Sequence, residues 1–321
     1  AEAGARLAAL RPPLVHVAGH GTSDHAAVYA GYLLRVRCGW TVVRDSMSLA
    51  LYYGMPAAAR GELAIGVSQS GETPDVVAWL ERARADGATT VAVTNGEGSA
   101  LARAADVVLG AGAGPERSIA ATKTYTGTLA VLALLAAHAA GDAAAATAAL
   151  AEAADAAEAA LPGLERAVEP VAEALAPVQR MYLVARGLEY ATAAEIALKL
   201  TEVAYVGAQA MTATAMAHGP VAALDASVPV WAIAARDGTL PAVVEAARRA
   251  RDAGAPLVAG GAAAGELRGA AHVLRTPPVR DPLLAPLLSA LPGQLAARAL
   301  ALAKGLDPGA PRHLRKVTAA A

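Results

Sequence analysis

The sequence predicts an α/β protein made of two successive units, each a three-layer sandwich around a five-stranded parallel sheet. Three observations lead there. Short apolar runs alternate with helical stretches over about the first 125 residues. Turns rich in Gly, Ser and Thr follow the first and third of those runs. The pattern then starts again near Met181.

Val15–Gly19 reads as the first strand, closed by Gly21-Thr22-Ser23-Asp24 and followed by an apolar helix to about Val36. Trp40–Arg44 is the second strand and Met47–Tyr53 a short helix. Leu63-Ala64-Ile65-Gly66-Val67 is a buried strand that runs into Ser68-Gln69-Ser70-Gly71-Glu72-Thr73, and Pro74 and Asp75 open a helix to Asp86. Ser68, Gln69, Ser70 and Thr73 each carry a hydrogen-bond donor, Gly71 admits a close backbone, and the helix start adds N–H groups and a positive dipole end. The ligand this suits is a phosphate monoester. An ordinary turn and helix cap use the same residue types, so the loop alone leaves the two readings level. Thr89–Thr94 and Asp106–Leu109 complete the five strands, and Thr122–Ala139 is a long apolar helix.

Residues 141–178 are rich in Ala and Glu, with Pro162-Gly163 in the middle, and read as a connector of two helices. They separate a first unit over 1–140 from a second over 179–305, with a tail over 306–321. The second unit repeats the first: Val184-Ala185-Arg186-Gly187 resembles Val17-Ala18-Gly19-His20-Gly21, and Leu283–Ala303 is again a long apolar helix. Its counterpart of the hydroxyl loop is Ala235-Arg236-Asp237-Gly238-Thr239, which leaves one phosphate site per chain.

Composition narrows the function. The chain is 55% hydrophobic with a net charge of −1 and no basic block, so neither a nucleic-acid face nor a membrane-binding patch is expected, and the partners are small molecules. Cys38 is the only cysteine, which excludes an intrachain disulfide and a cysteine metal cluster and fits a reducing compartment, the cytoplasm by default. No signal peptide is recognised, and no apolar stretch, Leu129–His138 included, is read as reaching the roughly 20 residues of a spanning helix. The first residue is not Met, and a few residues are expected to precede it. Cations are nearly all Arg, with Lys only at 123, 199, 304 and 316. A chain that writes Arg by habit keeps Lys where a compact or deprotonatable amine is needed. Lys304 is the exception, read as a chance survivor on a solvated face.

On the helix Tyr190–Tyr205, Glu195, Lys199 and Glu202 share one face among apolar neighbours. Carboxylates beside a lysine in such a setting have tunable proton affinity, while the plain alternative is an exposed ion-paired stripe. His218, before Gly219-Pro220, is expected in a turn. The histidines at 16, 20, 25, 138, 218, 272 and 313 show no tight metal spacing beyond His16/His20, and no metal or cofactor is expected.

These motifs carry a resemblance. Gly21-Thr22-Ser23, Ser68–Thr73, Ala121-Thr122-Lys123, Glu195–Glu202, His218-Gly219-Pro220 and the Leu314–Thr318 tail occur in the order found in tandem SIS (sugar isomerase) proteins, and the likeness spans nearly the whole chain. The chain resembles the isomerase half of glucosamine–fructose-6-phosphate aminotransferases and stand-alone amino-sugar-phosphate deaminases and isomerases. The resemblance implies that Thr22, Ser23, Ser68, Gln69, Ser70 and Thr73 hold a sugar phosphate. It also implies that Glu202 moves a proton between C1 and C2 of the open-chain sugar, supported by Lys199 and Glu195. Lys316 matches the lysine that forms a Schiff base with the ketose. His218 matches the residue proposed to open the ring, reaching the site from a neighbouring subunit, which makes a homodimer part of the expectation.

Departures from the aminotransferases bear on the substrate. No glutaminase domain or N-terminal nucleophilic cysteine lies within these residues, so glutamine is not expected as the nitrogen source. Gln209 and Ala215 stand where those relatives carry Glu, and Arg315 replaces a small residue. The expected reaction is aldose–ketose isomerisation of a hexose 6-phosphate or its 2-amino derivative, coupled to loss of ammonia from glucosamine 6-phosphate. The rival reading is a non-catalytic sugar-phosphate sensor, which would have no use for Glu202 and Lys316 together.

Overall fold

The computed structural model describes Leu7 and residues 9–314, in two compact units, one running to Thr147 and including His313 and Leu314, and the other from Ala148 to Arg312. In the first, β1 (Val15–Ala18), β2 (Val42–Arg44), β3 (Leu63–Val67), β4 (Thr89–Thr94) and β5 (Val107–Gly110) form one sheet in the order β2-β1-β3-β4-β5. Every neighbouring pair is parallel. Crossover helices cover such a sheet, so all five residues of β3 are buried and the strand reads as an unbroken apolar run. The strand order reverses between β1 and β3, and in folds of this kind ligands bind outside the carboxyl ends of the strands at that point.

The connections are α1 (Thr22–Cys38), α2 (Met47–Leu51), α3 (Pro74–Ala85), α4 (Ala100–Ala104) and, after β5, α5 (Lys123–Ala140). Val76, Trp79, Leu80 and Ala83 recur on one face of α3, and this stripe packs with Ala64, Ala92 and Leu101 in a buried cluster. Burying Leu80 fully is worth about 1.5–3 kcal/mol, so this face decides which way α3 lies and where its first turn points. His16, within β1, is tied to Asp45 through Nδ1 (3.2 Å) and to Glu62 through Nε2 (3.0 Å). These bonds fix the end of β2 and the approach to β3 on the two sides of β1, and the contact with Asp45 is the main cause of the raised His16 pKa.

In the second unit, β6 (Arg180–Ala185), β7 (Gly207–Thr212), β8 (Val230–Ile233), β9 (Leu257–Gly261) and β10 (His272–Arg275) form a parallel sheet in the order β10-β9-β8-β6-β7. Read from its other end, this is the order of the first sheet, so the repeat seen in the sequence is a repeat of topology. The edge strand β7 is exposed at Gly207 and Gln209 and buried only at Met211. Its Gly-Ala-Gln-Ala composition lacks the β-branched signature of a strand, and the sequence alone does not single it out.

Two expectations are corrected. The connector is one helix, α6 (Ala143–Leu175), and contains both Pro162 and Pro170. A proline inside a helix removes one hydrogen bond and costs about 3 kcal/mol, but here long alanine-rich segments flank it. Leu164, Val168, Val171, Ala172 and Leu175 also hold a buried stripe beyond the first proline. The second correction concerns apolar length: the run Pro282–Ala303, a 3₁₀ turn continuing into α10 (Ala285–Ala303), has 22 residues and is long and apolar enough to cross a bilayer by length and composition. In the structure 61% of that window is buried, and α10 packs on α7 (Glu189–Ala204) and β9. The remaining helices are α8 (Ala213–Ala217) and α9 (Leu240–Asp252).

Candidate functional site

The loop from β3 to α3 folds into a cradle. Ser68 is buried at the strand's end, and its hydroxyl accepts from the Gly71 N–H (3.1 Å) and shares a hydrogen bond with the Thr73 hydroxyl (3.0 Å). The Ser70 hydroxyl accepts from the Glu72 N–H (3.2 Å). These backbone donors occupy lone pairs on Ser68 and Ser70; one proton of the Ser68–Thr73 pair is spent between the two hydroxyls, and the other, with that of Ser70, is left for an acceptor. Gly71 has a φ of +69°, and a Cβ there would overlap the Ser99 side chain and come within 2.8 Å of Thr94 Oγ1, so only glycine fits. Glu72, the acid in this stretch, is accounted for: its Oε1 accepts from the Ala100 N–H (3.1 Å) at the start of α4.

Thr22 and Ser23 open α1 at the end of β1, the strand beside β3, and both are half-buried. The structure thus brings Ser68, Gln69, Ser70 and Thr73 into one loop and sets Thr22 and Ser23 at the neighbouring strand's end. Two features nearby escaped the sequence reading. Glu116 caps α5, accepting from Thr122 N (3.1 Å), Thr124 N (3.2 Å) and Thr124 Oγ1 (2.9 Å), so the helix start at the Ala121-Thr122-Lys123 motif already holds a carboxylate. His20, in the β1–α1 turn, places Nε2 3.4 Å from Asp75 Oδ2 in the first turn of α3.

In the second unit the predicted face of α7 is assembled. Lys199 Nζ donates to Glu202 Oε2 at 2.6 Å and stands 3.5 Å from Glu195 Oε1. Glu195 and Lys199 are buried, whereas Glu202 keeps 23% of its side chain exposed. The plain alternative, an exposed ion-paired stripe, is therefore excluded. A buried cation sandwiched by two carboxylates holds Glu202 in one place and leaves that group within reach of solvent or a ligand. The helix ends at Tyr205, whose φ of +54° is a left-handed cap.

At the other end of α7, Glu189 is buried and accepts from Thr192 Oγ1 (2.6 Å) and from Ser289 Oγ on α10 (2.8 Å). Further along, Gly293 of α10 lies so close to Ile196 that a Cβ would overlap its side chain. These contacts set the register of α7 on α10. Burial raises the Glu189 carboxyl to about 7, against the two hydroxyl hydrogen bonds, which lower it, and with the charge of Asp237 adding to the rise. An acid whose folded value stands above its unfolded value binds its proton more tightly when folded. Its contribution is therefore complete below about pH 4 and lost as pH rises through about 7. The wild type is expected to lose on the order of 3 kcal/mol from this group between pH 4 and pH 8. Glu189→Gln is expected to remove that slope, and urea unfolding at both pH values checks it; an unchanged slope in the variant would refute the assignment.

His218 caps α8 within a turn, as expected, and is exposed. Its imidazole makes no hydrogen bond among the described residues. Lys316 lies outside the described residues. The chain before it is anchored: Arg312 stacks 4.1 Å above the Tyr205 ring, and its N–H donates to the Tyr205 hydroxyl (2.9 Å). Lys304 is not the solvated survivor the sequence suggested. It is half-buried, its Nζ donates to the carbonyls of Val178 (3.2 Å) and Ala204 (3.1 Å), and burial lowers its pKa.

Comparison with known proteins places this geometry. The family model for the SIS domain matches residues 14–138 and 174–304. The glutamine–fructose-6-phosphate aminotransferase of Symbiobacterium thermophilum is 37% identical over 305 residues, covering 92% of this chain and 50% of that protein. The enzyme of the same name from Methanosarcina acetivorans is 36% identical over 311 residues, covering 94% of this chain and 50% of its own length. The chain thus spans about half the length of these curated relatives. Among solved structures, the C-terminal domain of glucosamine-fructose-6-phosphate aminotransferase from Francisella tularensis superposes with a TM-score of 0.88 at 25% identity, covering 96% of this chain and 89% of that one. Glucosamine-6-phosphate deaminase from Thermotoga maritima shares the fold, with a TM-score of 0.78 at 19% identity over 96% of this chain and 91% of its own. With two matched segments that each contain one five-stranded sheet, the chain belongs to the SIS domain family.

Proposed function

We propose that this protein is a sugar-phosphate enzyme that interconverts aldose and ketose forms of a hexose 6-phosphate or 2-amino-hexose 6-phosphate, with glucosamine 6-phosphate plus water giving fructose 6-phosphate and ammonia as the leading case. The observation that carries this reading is the buried Lys199 clamped between Glu195 and a partly exposed Glu202. Burying an ion triad carries a desolvation cost, and proton transfer between adjacent carbons needs one carboxylate fixed in the way this triad fixes Glu202. The aminotransferase relatives support the amino-sugar class.

The roles follow. Ser68, Gln69, Ser70, Thr73, Thr22 and Ser23 hold the phosphate through neutral donors, and this orientation of the open chain supplies a large part of the acceleration. Glu202 takes the proton from one carbon and returns it to the next, with Lys199 and Glu195 fixing it. Lys316 forms the Schiff base with the ketose carbonyl. Arg312, anchored on Tyr205 at the end of α7, is four residues before it, so the covalent tether reaches at most about 14 Å. His218 opens the ring from a partner subunit of a homodimer, a reading supported by its exposed imidazole.

Incubation with glucosamine 6-phosphate, followed by proton NMR and a coupled ammonia assay, tests the proposal. Equal amounts of ammonia and fructose 6-phosphate are expected. Saturable binding with no conversion of this or any related aldose or ketose phosphate would replace the enzyme with a sensor.

A further inference from the structure

The cradle built from Ser68, Gln69, Ser70 and Thr73 contains no charged donor, yet a phosphate monoester arrives with close to two negative charges. The helix that receives it carries an acid of its own: Asp75 lies in the first turn of α3, where a carboxylate competes with any bound anion for the same dipole end. The structure sets one basic group against that acid. His20 projects from the turn after β1, and its Nε2 stands 3.4 Å from Asp75 Oδ2, bridging the ends of the two strands that flank the switch point. The side chain is 56% exposed, and its Nδ1 makes no hydrogen bond among the described residues. An imidazole held by a carboxylate through one nitrogen presents the other to a second anion. The neighbouring helix repeats the arrangement: Asp24 in the first turn of α1 is paired with Arg44 at 3.1 Å, so each helix start at this edge has its acid matched by a base from a strand end.

We infer that His20 is the charged element of the anion site, oriented by Asp75 through Nε2 and donating from Nδ1 to a phosphate oxygen of the substrate. This rests on the reading of the β3–α3 loop as a phosphate cradle and adds to it a residue outside the hydroxyl motif. The consequence is selectivity for a doubly charged monoester, because a neutral hydroxyl cradle alone distinguishes poorly between a dianion and a singly charged or neutral oxygen ligand.

Isothermal titration of inorganic phosphate and of glucosamine 6-phosphate into the wild type, His20→Gln and His20→Lys tests the inference. The exposed position makes all three expected to fold. His20→Gln is expected to weaken both ligands by about tenfold or more, the scale of one charge-assisted hydrogen bond, and His20→Lys to recover most of that loss. Wild-type affinity in His20→Gln would overturn the role of His20 and leave the cradle standing. An equal loss in both variants would make the effect one of shape rather than charge and would also overturn it. Failure of the wild type to bind either ligand would overturn the cradle itself, and the inference with it.

Discussion

Glu202→Gln is expected to lower turnover by about 10²–10⁴-fold while leaving sugar-phosphate affinity within about twofold, because under the proposed role it deletes the proton acceptor and little else. The amide still presents an oxygen to Lys199 Nζ, which now sits at 2.6 Å from the carboxylate, and Lys199 keeps Glu195 on its other side. The side chain is the least buried of the three, so the fold does not depend on its charge. The β3–α3 loop belongs to a different unit, and its hydrogen bonds run from Ser68 to Gly71 and Thr73 and from Ser70 to Glu72. The measurement is a steady-state assay with glucosamine 6-phosphate alongside titration of the same ligand. Turnover equal to that of the wild type would remove Glu202 from the chemistry. Loss of binding together with turnover would make it a ligand contact instead.

How much of this was legible beforehand depends on what kind of signal each feature leaves. The β3–α3 unit announces itself because a buried parallel strand is an unbroken apolar run and a helix start favours hydroxyls and proline, so strand, cradle and helix lie side by side in sequence. The spacing of Glu195, Lys199 and Glu202 was legible, but its burial was not. Glu245, Arg248, Arg249 and Asp252 on α9 have the same i,i+3 and i,i+4 spacing and form an exposed network with side chains 43–51% accessible. What separates the two helices is the company: Ile196, Leu200 and Val203 on the same helix are buried along with Lys199, and Gly293 lets α10 approach Ile196. That second fact is about 100 residues away in sequence and invisible to local pattern. Glu189 was passed over for the same reason, since its partner Ser289 is contributed by α10. His20 stood out in the sequence only for its spacing from His16; its partner was not legible there, because only the pairing of β1 with β3 sets it opposite Asp75. The proline of α6 misled in the other direction, because a breaker is read locally while a long amphipathic helix is held by packing along its whole length.

Lys199→Met is expected to destabilise the second unit by about 3–5 kcal/mol, the cost of withdrawing one partner from a buried ion pair. Glu195 is fully buried and faces the ammonium at 3.5 Å, so the substitution takes away the positive charge opposite it. The double variant Glu195→Gln with Lys199→Met removes both charges and is expected to recover most of that loss, because a buried pair replaced by neutral groups of similar volume is close to neutral in stability. Lys304→Met supplies the contrast. Its ammonium is half-buried on two carbonyl oxygens, with no carboxylate partner among the described residues, and its loss is expected to cost about 1–2 kcal/mol. Lys199→Arg is not a conservative change, since a planar guanidinium does not fit a slot in which one compact donor reaches two carboxylates on the same helix. That requirement explains why a chain that otherwise writes Arg keeps Lys at this position. Urea unfolding of the four variants at one pH, with m-values compared to confirm a common unfolded state, decides the matter. If Lys199→Met matches the wild type, the ion triad contributes nothing to stability. If the double variant is no better than Lys199→Met, the loss comes from packing of the lysine stem rather than from its charge.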